Sequence, residues 1–95
     1  MDNILEIAKQ LANLYETMYE LAASQVSYIM NNHITSSDVI EHCLDQILDI
    51  PTNKGWELLQ IMCAYYWPFN QKVSQEYLDI YCELYDIKTK TKKRT

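Results

Sequence analysis

The sequence predicts an all-α protein, a small four-helix bundle with a long N-terminal helix. The chain has 95 residues with one Gly and two Pro, so it lacks the turn residues that a sheet of several strands needs at its hairpins. Apolar residues make up 48% of the chain, and over long stretches they recur every three or four residues, as in helices. We place a single helical domain at residues 1–87 and predict a disordered basic tail over residues 88–95.

The first predicted helix runs from Asn3 to about Asn31 and is unusually long. At about 1.5 Å per residue, it would span roughly 42 Å, more than a chain of this size needs. A short neighbour would cover only part of it, leaving Ile4, Ile7 and Leu11, or Tyr28 and Ile29, exposed. We therefore predict a homodimer built mainly on this helix. Its apolar residues follow a seven-residue repeat that alternates steps of three and four: Ile4, Ile7, Leu11, Leu14, Met18, Leu21 and Tyr28.

The second predicted helix is bounded by a cap and a proline. Thr35 is the predicted cap for its free amides, and Ile34 can pack on Val39 across the first turn. The helix runs to about Asp49 and stops ahead of Pro51, because the residue before a proline is disfavoured in helical geometry.

Two further helices follow the turn at residues 51–55. The third, from about Lys54 to Trp67, is apolar nearly all round, so we expect it at the centre of the bundle or at an interface. Pro68 ends it, and Asn70 or Ser74 caps the fourth helix. The fourth helix has one apolar side, formed by Val73, Tyr77, Ile80, Tyr81, Leu84 and Ile87. The predicted core includes Leu44, Leu59, Ile61 and Leu84.

Patterns typical of enzymes and metal sites are missing from the sequence. The two histidines, His33 and His42, are not part of a nucleophile motif or a zinc-ligand spacing. Gly55 stands alone, which excludes a glycine-rich phosphate loop. The cysteines fall in apolar helical patterns that are typical of buried thiols: Cys43, Cys63 and Cys82. We predict a protein that is not an enzyme and that uses no cofactor and no metal.

Charge is distributed unevenly along the chain. The net charge is −5, but residues 88–95 carry five of the eight basic side chains, so the preceding body has about −10 and the tail about +5. Two helices carry ridges of carboxylates with no Lys or Arg inside either. The first ridge is Asp38, Glu41, Asp45 and Asp49, and the second is Glu76, Asp79, Glu83 and Asp86. Such a ridge indicates a basic partner surface, a mimic of a nucleic acid backbone, or simply a solvated face.

Aromatic residues supply a second set of candidates. The chain holds eight Tyr and two Trp, and Tyr77, Tyr81 and Tyr85 follow each other at four-residue steps beside the second ridge. Stripes of this kind are more often core than binding site, but tyrosines left at a surface anchor protein interfaces. The three tyrosines therefore join the acidic ridges as partner-binding candidates.

The predicted location is the cytoplasm. The longest apolar run, residues 61–67, is far short of the roughly 18–20 residues that a membrane span requires, and the first ten residues do not have the pattern of a secretory signal. We therefore predict no membrane association. The preference for Lys over Arg and the abundance of Ile, Asn and Tyr are typical of an AT-rich genome, such as that of a low-GC bacterium or its phage.

These observations predict a non-catalytic protein that binds a surface of another protein. In size and helical layout the chain resembles small helical immunity proteins and phage-encoded inhibitors, which implies an inhibitor or adaptor role. A structural subunit is an alternative within the same class. The alternative from another class is a nucleic-acid-associated regulator that binds phosphates through the basic tail. That interpretation depends on Lys88, Lys90, Lys92, Lys93 and Arg94.

Overall fold

The computed structural model describes residues 2–87, which form four α-helices. The helices are α1 (Asp2–Asn31), α2 (Ser37–Leu48), α3 (Asn53–Tyr66) and α4 (Gln71–Leu84). This confirms the predicted all-α bundle with its longest helix first. Residues 88–95, where we predicted a disordered tail, lie outside the described residues.

Side-chain caps set the starts of the three shorter helices. Ser36 caps α2, because its Oγ accepts a hydrogen bond from the Val39 N–H at 3.4 Å. The predicted cap, Thr35, is wrong by one residue, since only the residue next to the first helical position can reach the free amides. Thr52 caps α3. Asn70 caps α4, which confirms one of the two predicted caps.

The core lies between the second half of α1, α2 and α3, and α4 closes one side of it. The predicted burial of Leu44 and Leu59 is confirmed, because both are fully buried. Ile29, which we expected to be uncovered, is also fully buried, since it faces α2 and α3. The other large side chains with no exposed surface are Ile40, Ile47, Ile50, Met62 and Tyr66.

Two residues of the predicted core are exposed instead. Ile61 retains 49% of its surface and Leu84 retains 58%. α3 packs on the other three helices, yet Glu57, Ile61 and Ala64 all stay exposed on its outer face. The sequence predicted α3 at the centre of the bundle or at an interface. Its inner side is central, but the other three helices do not cover this outer face.

α1 has two halves with different surroundings. Its second half packs on the body through Ala22, Val26 and Ile29, which are all buried. In the first half every residue from 3 to 14 is exposed, and we call this segment the α1 arm. Within residues 2–87, no helix combines the length and hydropathy needed to cross a lipid bilayer. The exposed large apolar residues of the arm are Ile4, Leu5, Ile7, Leu11 and Leu14, each at least 45% exposed.

Candidate functional site

Tyr77 and Tyr81 of α4, with Tyr85 directly after its end, attach this helix to α2 and to the α2–α3 loop. Tyr81 is 1% exposed, and its hydroxyl donates to the backbone carbonyls of Ile50 and Thr52. The Tyr85 hydroxyl donates to the carbonyl of Leu48 at 2.6 Å, one of the last carbonyls of α2 that have no partner within the helix. Tyr81 is therefore part of the core, and we leave it out of the candidate partner surface.

Two carboxylates of the first ridge, which lies on α2 and is called the α2 ridge, accept hydrogen bonds from tyrosines of the core side. The Tyr66 hydroxyl donates to Glu41 Oε2 at 2.7 Å, and the Tyr77 hydroxyl donates to Asp45 Oδ1 at 2.7 Å. Burial, and then the Asp45 carboxylate, raises the pKa of Tyr77. Glu41 is half-buried, whereas Asp38, Asp45 and Asp49 stay exposed, so this ridge is only partly free to meet a partner.

The α4 ridge lies on the side of the helix opposite the core. Its carboxylates on the helix, Glu76, Asp79 and Glu83, are all exposed. Asp86, the predicted fourth member, is exposed too, but it lies two residues past the end of α4 with a φ of 54°, so it does not continue the helical ridge. Lys72, just before the ridge, lies 3.5 Å from Glu76 Oε2, and Gln75 donates to Asp79 Oδ1 at 2.9 Å. The Lys72 side chain is 86% exposed, so this ion pair contributes little energy. The rest of the ridge carries unmixed negative charge.

Two exposed apolar residues lie between this ridge and Tyr77, the side chain that contacts Asp45 of α2. On a helix, residues three and four apart are neighbours, so Ile80 lies between Glu76 and Glu83 along the ridge and next to Leu84. Ile80 is 40% exposed and Leu84 is 58% exposed. An apolar centre with a charged rim is the usual anatomy of a protein interface. We call this surface, formed by Asp45, Glu76, Asp79, Ile80, Glu83 and Leu84, the acidic face.

Sequence reasoning found the carboxylates of the acidic face but missed its apolar centre. We assigned Ile80 and Leu84 to the buried side of α4 because they match its apolar stripe. In the structure the core side of α4 is centred on Ser74 and Tyr81, which are both buried. The stripe is wider than the contact surface, so its outer edge is exposed to solvent. The only sequence signal was that Ile80 neighbours two glutamates.

Buried phenols and thiols make the fold sensitive to alkali. Burial raises the pKa of Tyr81 to about 12, that of Cys43 to about 11 and that of Cys63 to about 12. Groups whose pKa is raised by folding stabilise the native state while they hold their proton, and this contribution is lost as the pH rises through the folded-state pKa. We expect the free energy of unfolding to fall from about pH 9 to pH 12.

The measurement is urea unfolding at several pH values between 8 and 11.5. Tyr81→Phe should reduce the loss of stability above about pH 10, where an unfolded tyrosine begins to ionise. Tyr28→Phe is the matched control, because it removes an exposed hydroxyl, and it should leave the pH dependence unchanged. A stability that is flat over this range would contradict the role of the buried groups.

No cluster of metal-ligating side chains is found in the part of the chain that the structure describes. Within residues 2–87, no three His, Cys, Asp or Glu side chains are grouped so as to hold a metal ion. His33 lies in the α1–α2 loop, and His42 is exposed on α2. The basic residues of the nucleic-acid alternative lie outside the described residues: Lys88, Lys90, Lys92, Lys93 and Arg94. Comparisons with family models, curated proteins and solved structures found nothing that matches this chain.

Proposed function

We propose that this chain is a non-catalytic protein-binding module that acts by occupying a surface of another protein, as a small acidic inhibitor or adaptor. The observation that supports this function is the pair Ile80 and Leu84, exposed at the centre of the acidic face. Exposed apolar side chains within a charged rim lose water when a partner covers them, and this loss favours binding.

The rim favours a partner with a basic surface. Residues 2–87 contain all 13 acidic side chains of the protein but only three basic ones. Two of these, Lys54 and Lys72, lie beside Glu16 and Glu76, so residues 2–87 offer little positive charge to repel a cationic partner. Carboxylates arranged in this way accelerate encounter with a basic protein and repel phosphate backbones.

The first step of the test is to find the partner. Tagged chain is used to capture interacting proteins from the source organism, alongside a variant with Glu76→Lys and Glu83→Lys. We expect the parent chain to retain a protein with a basic surface, in a one-to-one ratio of partner to chain. The variant should not retain this protein. Retention of the same proteins by both chains would contradict a role for the acidic face.

The second step measures how purified partner binds. Leu84→Ser and the double charge reversal should each weaken binding about tenfold or more, since centre and rim act together. The parent association rate should fall as salt is raised, because salt screens the rim charges. Stability should change by less than about 1 kcal/mol in the charge reversal, because these carboxylates are exposed. Glu57→Lys, on the exposed outer face of α3, is the control and should bind like the parent.

A further inference from the structure

We propose that residues 4–21 of α1 pair with the same residues of a second copy of this chain, forming an antiparallel helical pair. We call the apolar residues of the seven-residue repeat in this segment the seam: Ile4, Ile7, Leu11, Leu14, Met18 and Leu21. The apolar seven-residue repeat of α1 is exposed far beyond the arm, because the body packs on a different side of the helix. Leu21 is 68% exposed and Tyr28 is 60% exposed, whereas the residue after each, Ala22 and Ile29, is buried. The seam is therefore exposed along the helix except at Met18, which is partly buried against the core.

The spacing of the seam allows it to match a second copy of itself in the antiparallel direction. In one register, Leu11 faces Leu14 of the second copy, Ile7 faces Met18 and Ile4 faces Leu21. The two-fold axis repeats each of these pairs, so every layer between residues 4 and 21 is apolar on both sides. This length corresponds to about 26 Å of helix. Such a seam supplies the continuous layers that paired helices require.

The residues flanking the seam favour an identical partner. Two copies with a net charge of −5 repel one another unless their contact surface is kept neutral. The paired segment meets this condition, since its charged residues, Glu6, Lys9, Glu16 and Glu20, lie on the side of the helix away from the seam. The positions that flank the seam carry no charge: Asn3, Gln10, Thr17 and Ser24 on one side and Ala8 and Tyr15 on the other.

The body provides a place for the end of the second arm. A groove of about 200 Å³ lies between α1 and α2, lined by Met18, Leu21, Ala22, Gln46 and Asp49. In the antiparallel register, Ile4 of the second copy lies opposite Leu21, at the edge of this groove. The antiparallel direction also places the two acidic bodies at opposite ends of the pair, whereas a parallel pair would bring them side by side.

The first test is the mass of the full chain in solution. Sedimentation equilibrium at micromolar concentration should give twice the 11.3 kDa chain mass. Leu11→Glu should raise the dissociation constant by about 100-fold or more, because it places a charge in the centre of the seam on both copies. Asn13→Glu, on the far side of the same helix turn, is the matched control and should remain dimeric. A parent chain of 11.3 kDa, or a Leu11→Glu variant that stays dimeric, would overturn the proposal.

The second test fixes the direction of pairing. Chains carrying Ile4→Cys are mixed with chains carrying Leu21→Cys under mild oxidation, and disulfide-linked dimers are measured on non-reducing gels against the parent chain. The antiparallel register predicts a crosslink in the mixture that neither variant forms alone. A crosslink formed by Ile4→Cys alone would indicate a parallel pair and would overturn the register. Neither side chain is buried in the single chain, so both variants should fold like the parent. Circular dichroism of each variant checks this.

Discussion

Gly55→Ala is expected to destabilise the fold by about 2–4 kcal/mol, although alanine is normally the better helix residue. A Cβ at this position would overlap the carbonyl oxygen of Ile50 and would lie 2.9 Å from the Ile50 Cβ. That carbonyl is held in place, because it accepts hydrogen bonds from the Thr52 N–H at 3.0 Å and from the Tyr81 hydroxyl. Relief of the overlap requires a backbone shift within a packed core, which outweighs the helix-propensity gain of about 1 kcal/mol.

Chemical unfolding of Gly55→Ala and of a control variant measures this effect. Asn53→Ala is the control, because it changes an exposed residue in the first turn of the same helix, and it should alter stability by about 0.5 kcal/mol or less. If Gly55→Ala were as stable as the parent chain, the turn between α2 and α3 would have to move freely and the close approach would not constrain the fold.

Leu59→Ala is expected to cost about 2–5 kcal/mol, because it removes three carbon atoms from a site with no exposed surface and leaves a cavity in the core. Leu59 lies on α3, which packs on all three other helices, so its neighbours cannot relax into the space without moving several elements. For a domain of this size such a loss is a large share of the total stability.

Ile61→Ala is the matched control for this variant, since it truncates a branched side chain of the same size two positions away in the same helix. Ile61 is 49% exposed, so its truncation should cost about 1 kcal/mol or less. Thermal unfolding of both variants measures the two losses of stability. Equal losses in the two variants would mean that α3 is covered on both sides and that the described outer face is wrong.

Local signals in the sequence were sufficient to place the helices. The apolar periodicity is interrupted at Pro51, at Pro68 and at the polar residues around residue 33. Each interruption ends a helix through an effect that acts over only a few residues. The predicted ends of the first three helices therefore agree with the structure to within about one or two residues. The fourth helix ends at Leu84, three residues before Ile87, which we had placed on it. The carboxylate ridge of α4 was found for the same reason, because a one-sided charge pattern shows which side avoids the core.

Local signals did not predict which part of each apolar stripe is buried. Leu59 and Ile61 are equally apolar and equally placed in a helical pattern, but one is buried and the other half-exposed because of where the neighbouring helices lie. The same limit applies to Ile80 and Leu84, which match the apolar side of α4 yet form the centre of the acidic face. Periodicity identifies an apolar stripe, and packing selects the part of it that is buried.

The sequence by itself determined the number of helices, the exceptional length of α1 and the separation of charge along the chain, because each depends on composition and on spacing within one segment. Only the tertiary structure decided which side of α1 packs on the body, namely the side of Ala22 and Ile29. It also decided that the carbonyl of Ile50 leaves room only for glycine at position 55 and that Tyr81 belongs to the core. The packing of α1 and of Tyr81 depends on how helices meet across long sequence separations, and the Gly55 contact depends on the geometry of the turn between α2 and α3. The physical reason is that burial is shared between elements, and a single segment does not specify which neighbour will cover it.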